Sequence, residues 1–187
     1  MLLIDENDAG FVAAFEAGRV GPADFPHRAH VRLTWTVLRL EPDPAAARRR
    51  IGGGILAFAT RHGAAAKFHV TITDAWIRLV EAALAAAPPA DRQAFDDWIA
   101  GAPHLLDARR LGRHYSPARL AGDAARTGWV PPDLAPLAAP PAPAPRASDA
   151  TSASDDAGAS AAVPPASDAE RTSATAPASI VAGAPPR

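Results

Sequence analysis

The sequence predicts an all-α fold, an irregular or orthogonal bundle of five to seven helices followed by a disordered C-terminal tail. Apolar residues recur at spacings of three and four in several segments, and no segment shows sustained alternation of apolar and polar residues. Composition then divides the chain, because residues 136–187 contain 10 of the 20 prolines and no aromatic residue. We therefore expect a helical domain over 1–135 and a disordered tail rich in Ala, Pro and Ser over 136–187.

Two helices are predicted in the first 41 residues. Phe11 and Phe15 lie one helical turn apart, which indicates a first helix of about ten residues. The second is predicted from His27 to Glu41, a stretch without a helix breaker. Asp24 is expected to cap this helix, with Pro26 in its first turn.

Two longer helices are predicted next. One runs from Ala45 to His62 after the capping pair Asp43-Pro44, and it includes three consecutive glycines at 52–54. Glycine costs about 1 kcal/mol relative to alanine inside a helix, so we expect a bend, a break or a close neighbour there. The other is predicted over the segment from Phe68 to Ala87, which begins with the β-like residues 70–73 but has apolar residues at helical spacing, and it ends before Pro88.

Two short helices complete the predicted domain. The segment from Asp91 to Ile99 is amphipathic, and a last helix begins at Ser116-Pro117 and continues through Leu120 to Ala125. Trp129 then closes the domain. Together these segments account for the predicted bundle.

Charge and composition argue against several classes of function. Residues 1–135 carry 16 basic and 15 acidic side chains, whereas a nucleic-acid partner requires a basic surface. We interpret the arginine runs at 48–50 and 109–113 as solvated helix faces. The chain has no cysteine, which excludes disulfides, thiolate catalysis and sulfur-ligated zinc. No long apolar segment or basic leader is present, so we expect no membrane partner and a cytoplasmic location.

Three histidines form a candidate metal site. His27 and His30 lie three residues apart, which places both imidazoles on one face at the start of the second helix. His69 opens the fourth predicted helix. Three imidazoles from two facing helices would suit Zn²⁺, Cu²⁺, Ni²⁺ or Fe²⁺ and would leave one position open for water or substrate.

Three further side chains are candidates for roles around this metal. Thr73, one turn after His69, and Tyr115 are the catalytic candidates that would orient a bound water or substrate. Arg32 is the candidate for pairing with an anionic group of a small substrate. The first hypothesis is thus a metal-dependent enzyme of small-molecule metabolism, with hydrolysis, lyase and oxygen chemistry all open.

Two other interpretations use the same residues. In one, the protein is a non-catalytic helical module that binds a protein or small ligand, and its histidines are structural groups bonded to backbone carbonyls. In the other, the histidines converge without a metal and transfer protons. The enzyme hypothesis predicts that the imidazoles converge in one cavity, whereas the non-catalytic module predicts that they point to different neighbours.

Three segments resemble a family of small, functionally uncharacterised bacterial proteins. The segments are FPHRAHVRLTW at 25–35, KFHVTITDAW at 67–76, and YSPARLA at 115–121 with WVPPD at 129–133. The family pattern is H-x-x-H-V-R-x-A-W, then Y-H-E-T-I-T, then a tyrosine-serine segment and V-x-P-D, so the match covers most of residues 8–133. The resemblance implies a shared site, with motif positions at His27, His30, His69, Thr71 and Thr73.

Two positions depart from that family pattern. Val70 stands where the family has glutamate, and Phe68 replaces a tyrosine. A glutamate would be the natural fourth ligand or general base, so its absence predicts a three-histidine site or a site that has lost its catalytic group. Asp74 would substitute only if the helix were already formed at Val70, which we do not expect.

Overall fold

The computed structural model describes residues 4–137, and within this range the protein is all-α, as predicted. The α-helices number seven in the described range: α1 Glu6–Glu16, α2 His27–Leu40, α3 Pro44–Arg61, α4 Val70–Ala86, α5 Phe95–Ala100, α6 Pro117–Ala121 and α7 Asp123–Thr127. Four short 3-10 turns connect them: Pro22–Asp24, Ala65–Lys67, Pro103–Leu106 and Ala108–Arg113. None of the helices in residues 4–137 has the length and apolar character needed to cross a membrane. The predicted disordered tail lies outside the described residues except for positions 136 and 137.

Helix α2 lies between two apolar clusters and contributes to both. Val31 and Trp35 belong to a cluster that also contains residues of α4 and α5. Leu33 and Val37 belong to a second cluster, formed with residues of α1 and α3. Trp35 is completely buried and its ring lies 5.7 Å from those of two aromatic residues of the α5 region. Burial on two faces fixes α2 firmly between its neighbours.

The start of α2 differs from the prediction. The predicted cap, Asp24, instead ends the 3-10 turn Pro22–Asp24, and Pro26 occupies the N-cap position without a side-chain hydrogen bond. The reason is that Phe25 is buried, with its ring 4.7 Å from Phe15 and 4.6 Å from Phe58. Packing of this ring separates the turn from the helix.

Helix α3 is continuous through its three glycines. Asp43 caps it as predicted, accepting hydrogen bonds from the backbone N–H groups of the second and third helical residues. A Cβ on Gly54 would lie 3.1 Å from a ring carbon of Phe15. A close neighbour, one of the three expected explanations, therefore accounts for this glycine, whereas a Cβ on Gly52 or Gly53 would meet nothing within 4 Å.

The short helices also differ from their predicted limits. Helix α5 begins at Phe95 and not at Asp91, because the guanidinium of Arg39 donates hydrogen bonds of 3.1 Å to the carbonyls of Ala90 and Gln93 and holds the preceding segment in a turn. The predicted last helix is two helices, α6 and α7, separated at position 122, where the glycine backbone is extended.

Candidate functional site

A cavity of about 320 Å³ lies among α2, α3, α4 and the turn before α4. Its polar wall consists of His27, His30, Thr34, Lys67, His69 and Thr73. Its apolar wall consists of Val31, Ile55, Phe68, Ile72, Trp76 and Val80. The structure therefore brings the three predicted histidines and Thr73 to one cavity, although they come from two separate stretches of the chain.

His27 and His30 each bond to a backbone carbonyl through one ring nitrogen. His27 Nε2–H donates to the carbonyl of Leu105 at 2.9 Å, and His30 Nδ1–H donates to the carbonyl of Pro26 at 3.1 Å. In the described part of the chain, the second nitrogen of each ring has no hydrogen-bond partner. Burial lowers the pKa of His30, and the nearby His27 lowers it further, so the His30 ring stays neutral to a lower pH than an ordinary histidine.

His69 uses both ring nitrogens. It is the N-cap of α4, where Nδ1 accepts a hydrogen bond of 3.3 Å from the backbone N–H of Ile72. Nε2–H donates to the carbonyl of Leu120 at 2.9 Å. An imidazole that donates at one nitrogen and accepts at the other is neutral, and a metal on this ring would have to replace one of these bonds.

The predicted metal site remains a prediction. Within residues 4–137, no group of three or more His, Asp or Glu side chains is arranged so that it would hold a metal ion. The nitrogens without protein partners belong to His27 and His30. These two side chains are therefore the ones that would provide ligands to Zn²⁺, Cu²⁺, Ni²⁺ or Fe²⁺.

The structure does not bring Arg32 or Tyr115 to this cavity. The Arg32 Nε–H donates to Asp8 Oδ1 at 2.6 Å, and the guanidinium lies 4.8 Å from the centre of the Phe11 ring. The buried Tyr115 hydroxyl donates to the carbonyl of Val130 at 3.0 Å. Burial raises the pKa of Tyr115 to about 12. Arg32 and Tyr115 therefore make hydrogen bonds within the bundle, away from the cavity.

Thr71 holds the C-terminal part of the domain against the start of α4. Its buried hydroxyl donates to the carbonyl of Gly128 at 2.7 Å and accepts from the backbone N–H of Val130 at 3.0 Å. Together with the bond from His69 to Leu120, these contacts join α4 to residues 120–130. Two of the five motif positions therefore have a structural role.

Replacing Thr71 with valine should lower the free energy of unfolding by about 2 kcal/mol, because two half-buried backbone groups lose their partner while the shape is kept. Urea unfolding would measure the change. Thr36→Val is the matched control, since the Thr36 hydroxyl is equally buried but donates only to a carbonyl of its own helix, that of Arg32. Equal losses in the two variants would contradict this role of Thr71.

Asp74 lies in the second turn of a helix that is already formed at Val70. Helix α4 begins at Val70, so the expectation that the helix is not yet formed there is wrong. Asp74 is half-buried, and this burial raises its pKa. Its side chain is not part of the cavity wall described above. Val70, which stands where the family pattern has glutamate, is not part of that wall either. The wall therefore contains no carboxylate that could take the place of that glutamate.

Sequence reasoning missed Lys67. It lies on the cavity wall and is exposed. The signal was present in the composition, because Lys67 is the one lysine among 19 basic side chains and all the others are arginine. Phe68 and Trp76, the aromatic residues of the wall, both lie in the motif segment at 67–76.

Comparison with known proteins gives no match among family models, curated proteins or solved structures. The resemblance to the family with the H-x-x-H-V-R motif therefore stays a prediction. Conclusions about function depend on the geometry of the cavity.

Proposed function

We propose that the protein is a helical binding module that holds a small organic molecule in the cavity among α2, α3 and α4. The observation that carries this proposal is the cavity itself, whose wall combines six apolar side chains with six polar ones. Ligand sites in proteins have this composition, with a few polar groups that orient the ligand on a mainly apolar surface.

The size and wall of the cavity indicate the kind of ligand. Its volume of about 320 Å³ is at the lower end of the range for ligand sites, which points to a small molecule. Trp76 and Phe68 provide aromatic surfaces on the wall, suited to a ring or a branched aliphatic body. The Thr73 hydroxyl has no hydrogen-bond partner in the described part of the chain, so it is available to a polar group of the ligand.

The hydrogen bonds of the histidines support binding over catalysis. Each of the three imidazoles bonds to a backbone carbonyl, those of Leu105, Pro26 and Leu120. These bonds hold the first turns of α2 and α4 in place and so define two sides of the cavity. A wall that is preorganised in this way lowers the entropic cost of binding.

The test is a titration of the full chain with phenylacetate, phenylacetamide and phenethylamine, followed by ¹H–¹⁵N NMR. We expect saturable shifts with at least one probe at the amides of Val31, Thr73 and Trp76. The amide of Arg113, which is outside the wall, should not shift. The absence of saturable shifts with all three probes would overturn the proposal.

A metal-dependent enzyme is the second candidate function. The observation in its favour is that His27 and His30, one turn apart on α2, each keep one ring nitrogen without a partner in the described part of the chain. Burial keeps His30 neutral to lower pH, and a neutral imidazole is the form that binds a metal. Thr73 would then orient a water or substrate beside the metal.

For this candidate we expect tagless protein to bind Zn²⁺, Cu²⁺, Ni²⁺ or Fe²⁺ more tightly than about 1 mM, and binding to weaken at least tenfold in His27→Gln and His30→Gln. Glutamine keeps a side-chain donor but is a poor ligand for these metals. His62→Gln, an exposed position outside the cavity wall, is the control. Isothermal titration calorimetry gives the affinities, and equal binding in all variants would exclude this site.

A further inference from the structure

Lys67 differs in type from every other basic residue of the chain, and within residues 4–137 it is the one Lys or Arg on the cavity wall. It is the single lysine among 19 basic side chains. It ends the 3-10 turn Ala65–Lys67, three residues before α4 begins, and it is exposed while forming part of the cavity wall. Lys67 therefore lies where the cavity meets solvent.

The ammonium group of Lys67 has no carboxylate partner in the described part of the chain. Several arginines in the same range are paired, including Arg32 with Asp8 at 2.6 Å and Arg50 with Glu16 at 2.7 Å. The cavity wall described above contains no Asp or Glu, and Lys67 is its one Lys or Arg residue. A basic group at an apolar cavity without a counter-charge is suited to a ligand that brings the negative charge itself.

We propose that Lys67 pairs with the acid group of the ligand, and that the ligand is a small monocarboxylic acid with an aromatic or branched aliphatic body. This inference rests on the proposed function and names its ligand class. Sequence reasoning assigned the anion-pairing role to Arg32, but that guanidinium is bonded to Asp8. The structure provides Lys67 in its place.

The number and type of basic groups select the ligand class. One ammonium is a compact point charge that suits a single carboxylate. Phosphates and dicarboxylates are usually recognised by arginine forks or by several cations, and the described wall has no arginine. Both ring nitrogens of His69 already have hydrogen-bond partners, so this side chain is not available to bind the acid group.

The N-terminal ends of α2 and α4 also favour a negatively charged ligand. The wall includes residues from the first turns of both α2 and α4, which have 14 and 17 residues. The N-terminal end of a helix carries a partial positive charge that favours a nearby anion. This effect adds to the ammonium of Lys67, and it favours a carboxylate over an amine at this end of the cavity.

The experiment measures the affinities of phenylacetate, phenylacetamide and phenyl phosphate by NMR titration of the full chain and its variants. Phenylacetamide has nearly the same shape as phenylacetate but no charge. In the wild-type protein we expect phenylacetate to bind about tenfold more tightly than the amide, the value for one charge-assisted hydrogen bond. Phenyl phosphate should bind more weakly than phenylacetate.

The variants separate charge at the cavity from charge in general. Lys67→Met should lower the affinity for phenylacetate about tenfold and leave that for phenylacetamide unchanged. Lys67→Arg should keep the preference for the acid. Arg113→Met removes the same charge at an exposed position outside the wall and should change neither affinity.

The outcomes distinguish this inference from the proposed function. If the amide binds as tightly as the acid, or if Lys67→Met keeps the preference for the acid, then the role of Lys67 is overturned while the binding function stands. If phenyl phosphate binds most tightly, then the ligand class is overturned. If no probe binds to the wild-type protein, then the proposed function itself fails.

Discussion

Replacing Asp8 with alanine is expected to lower the free energy of unfolding by about 3 kcal/mol. Asp8 is only 2% exposed and connects three helices. Its Oδ1 accepts a hydrogen bond of 2.6 Å from Arg32, and its Oδ2 accepts one of 2.8 Å from the backbone N–H of Phe95, the first residue of α5. Alanine would leave a buried N–H without a partner and a guanidinium without its counter-charge.

Urea unfolding monitored by circular dichroism measures this loss. Asp96→Ala is the matched control, because Asp96 also pairs with an arginine of α2 but its side chain is 78% exposed, and the change should stay below about 0.5 kcal/mol. Asp8→Asn keeps one acceptor and should fall between the two. A loss in Asp8→Ala no larger than that in Asp96→Ala would contradict the role of the buried carboxylate.

The contacts of Asp8 show why the fold was more predictable than the roles of individual residues. Periodicity alone predicts an all-α chain and the position of α1, because both depend on residues close in sequence. Arg32 was assigned to a substrate, since its partner lies 24 residues away and the sequence does not show that pairing. The start of α5 was missed for the same reason, because Arg39 holds a turn more than 50 residues ahead.

The candidate site was predictable to a similar extent. Helical spacing and the motif resemblance predict that His27, His30, His69 and Thr73 share a site, and the structure places all four on one cavity wall. The chemistry of the histidines was not predictable. Carbonyl partners 78 residues from His27 and 51 residues from His69 decide which ring nitrogens remain available.

These partners also explain what the motif segments contribute. His69 and Thr71 join the start of α4 to residues 120–130, and His69 also lies on the cavity wall. Thr73 lies one turn after His69 on α4, on the cavity wall, and its hydroxyl has no hydrogen-bond partner in residues 4–137. The motif therefore combines residues that build the cavity with one that is free to contact its contents.

This division of roles leads to the last prediction, in which Thr73→Trp lowers the affinity for the best-binding probe by at least about 30-fold, equivalent to about 2 kcal/mol. The indole ring would occupy much of a cavity of about 320 Å³ and so exclude the ligand. Thr73 is half-buried, and its replacement breaks no hydrogen bond within residues 4–137. The free energy of unfolding should therefore change by less than about 1 kcal/mol.

Thr73→Val is the control, because valine has nearly the volume of threonine and removes only the hydroxyl. If the cavity is the binding site, Thr73→Val should lose much less affinity than Thr73→Trp, and urea unfolding should show that both variants are folded. Unchanged affinity in a folded Thr73→Trp protein would place the ligand elsewhere. Both replacements remove the hydroxyl donor, but only tryptophan fills the space. Equal losses of affinity in the two variants would therefore mean that a hydrogen bond from the hydroxyl, and not the open volume, determines binding.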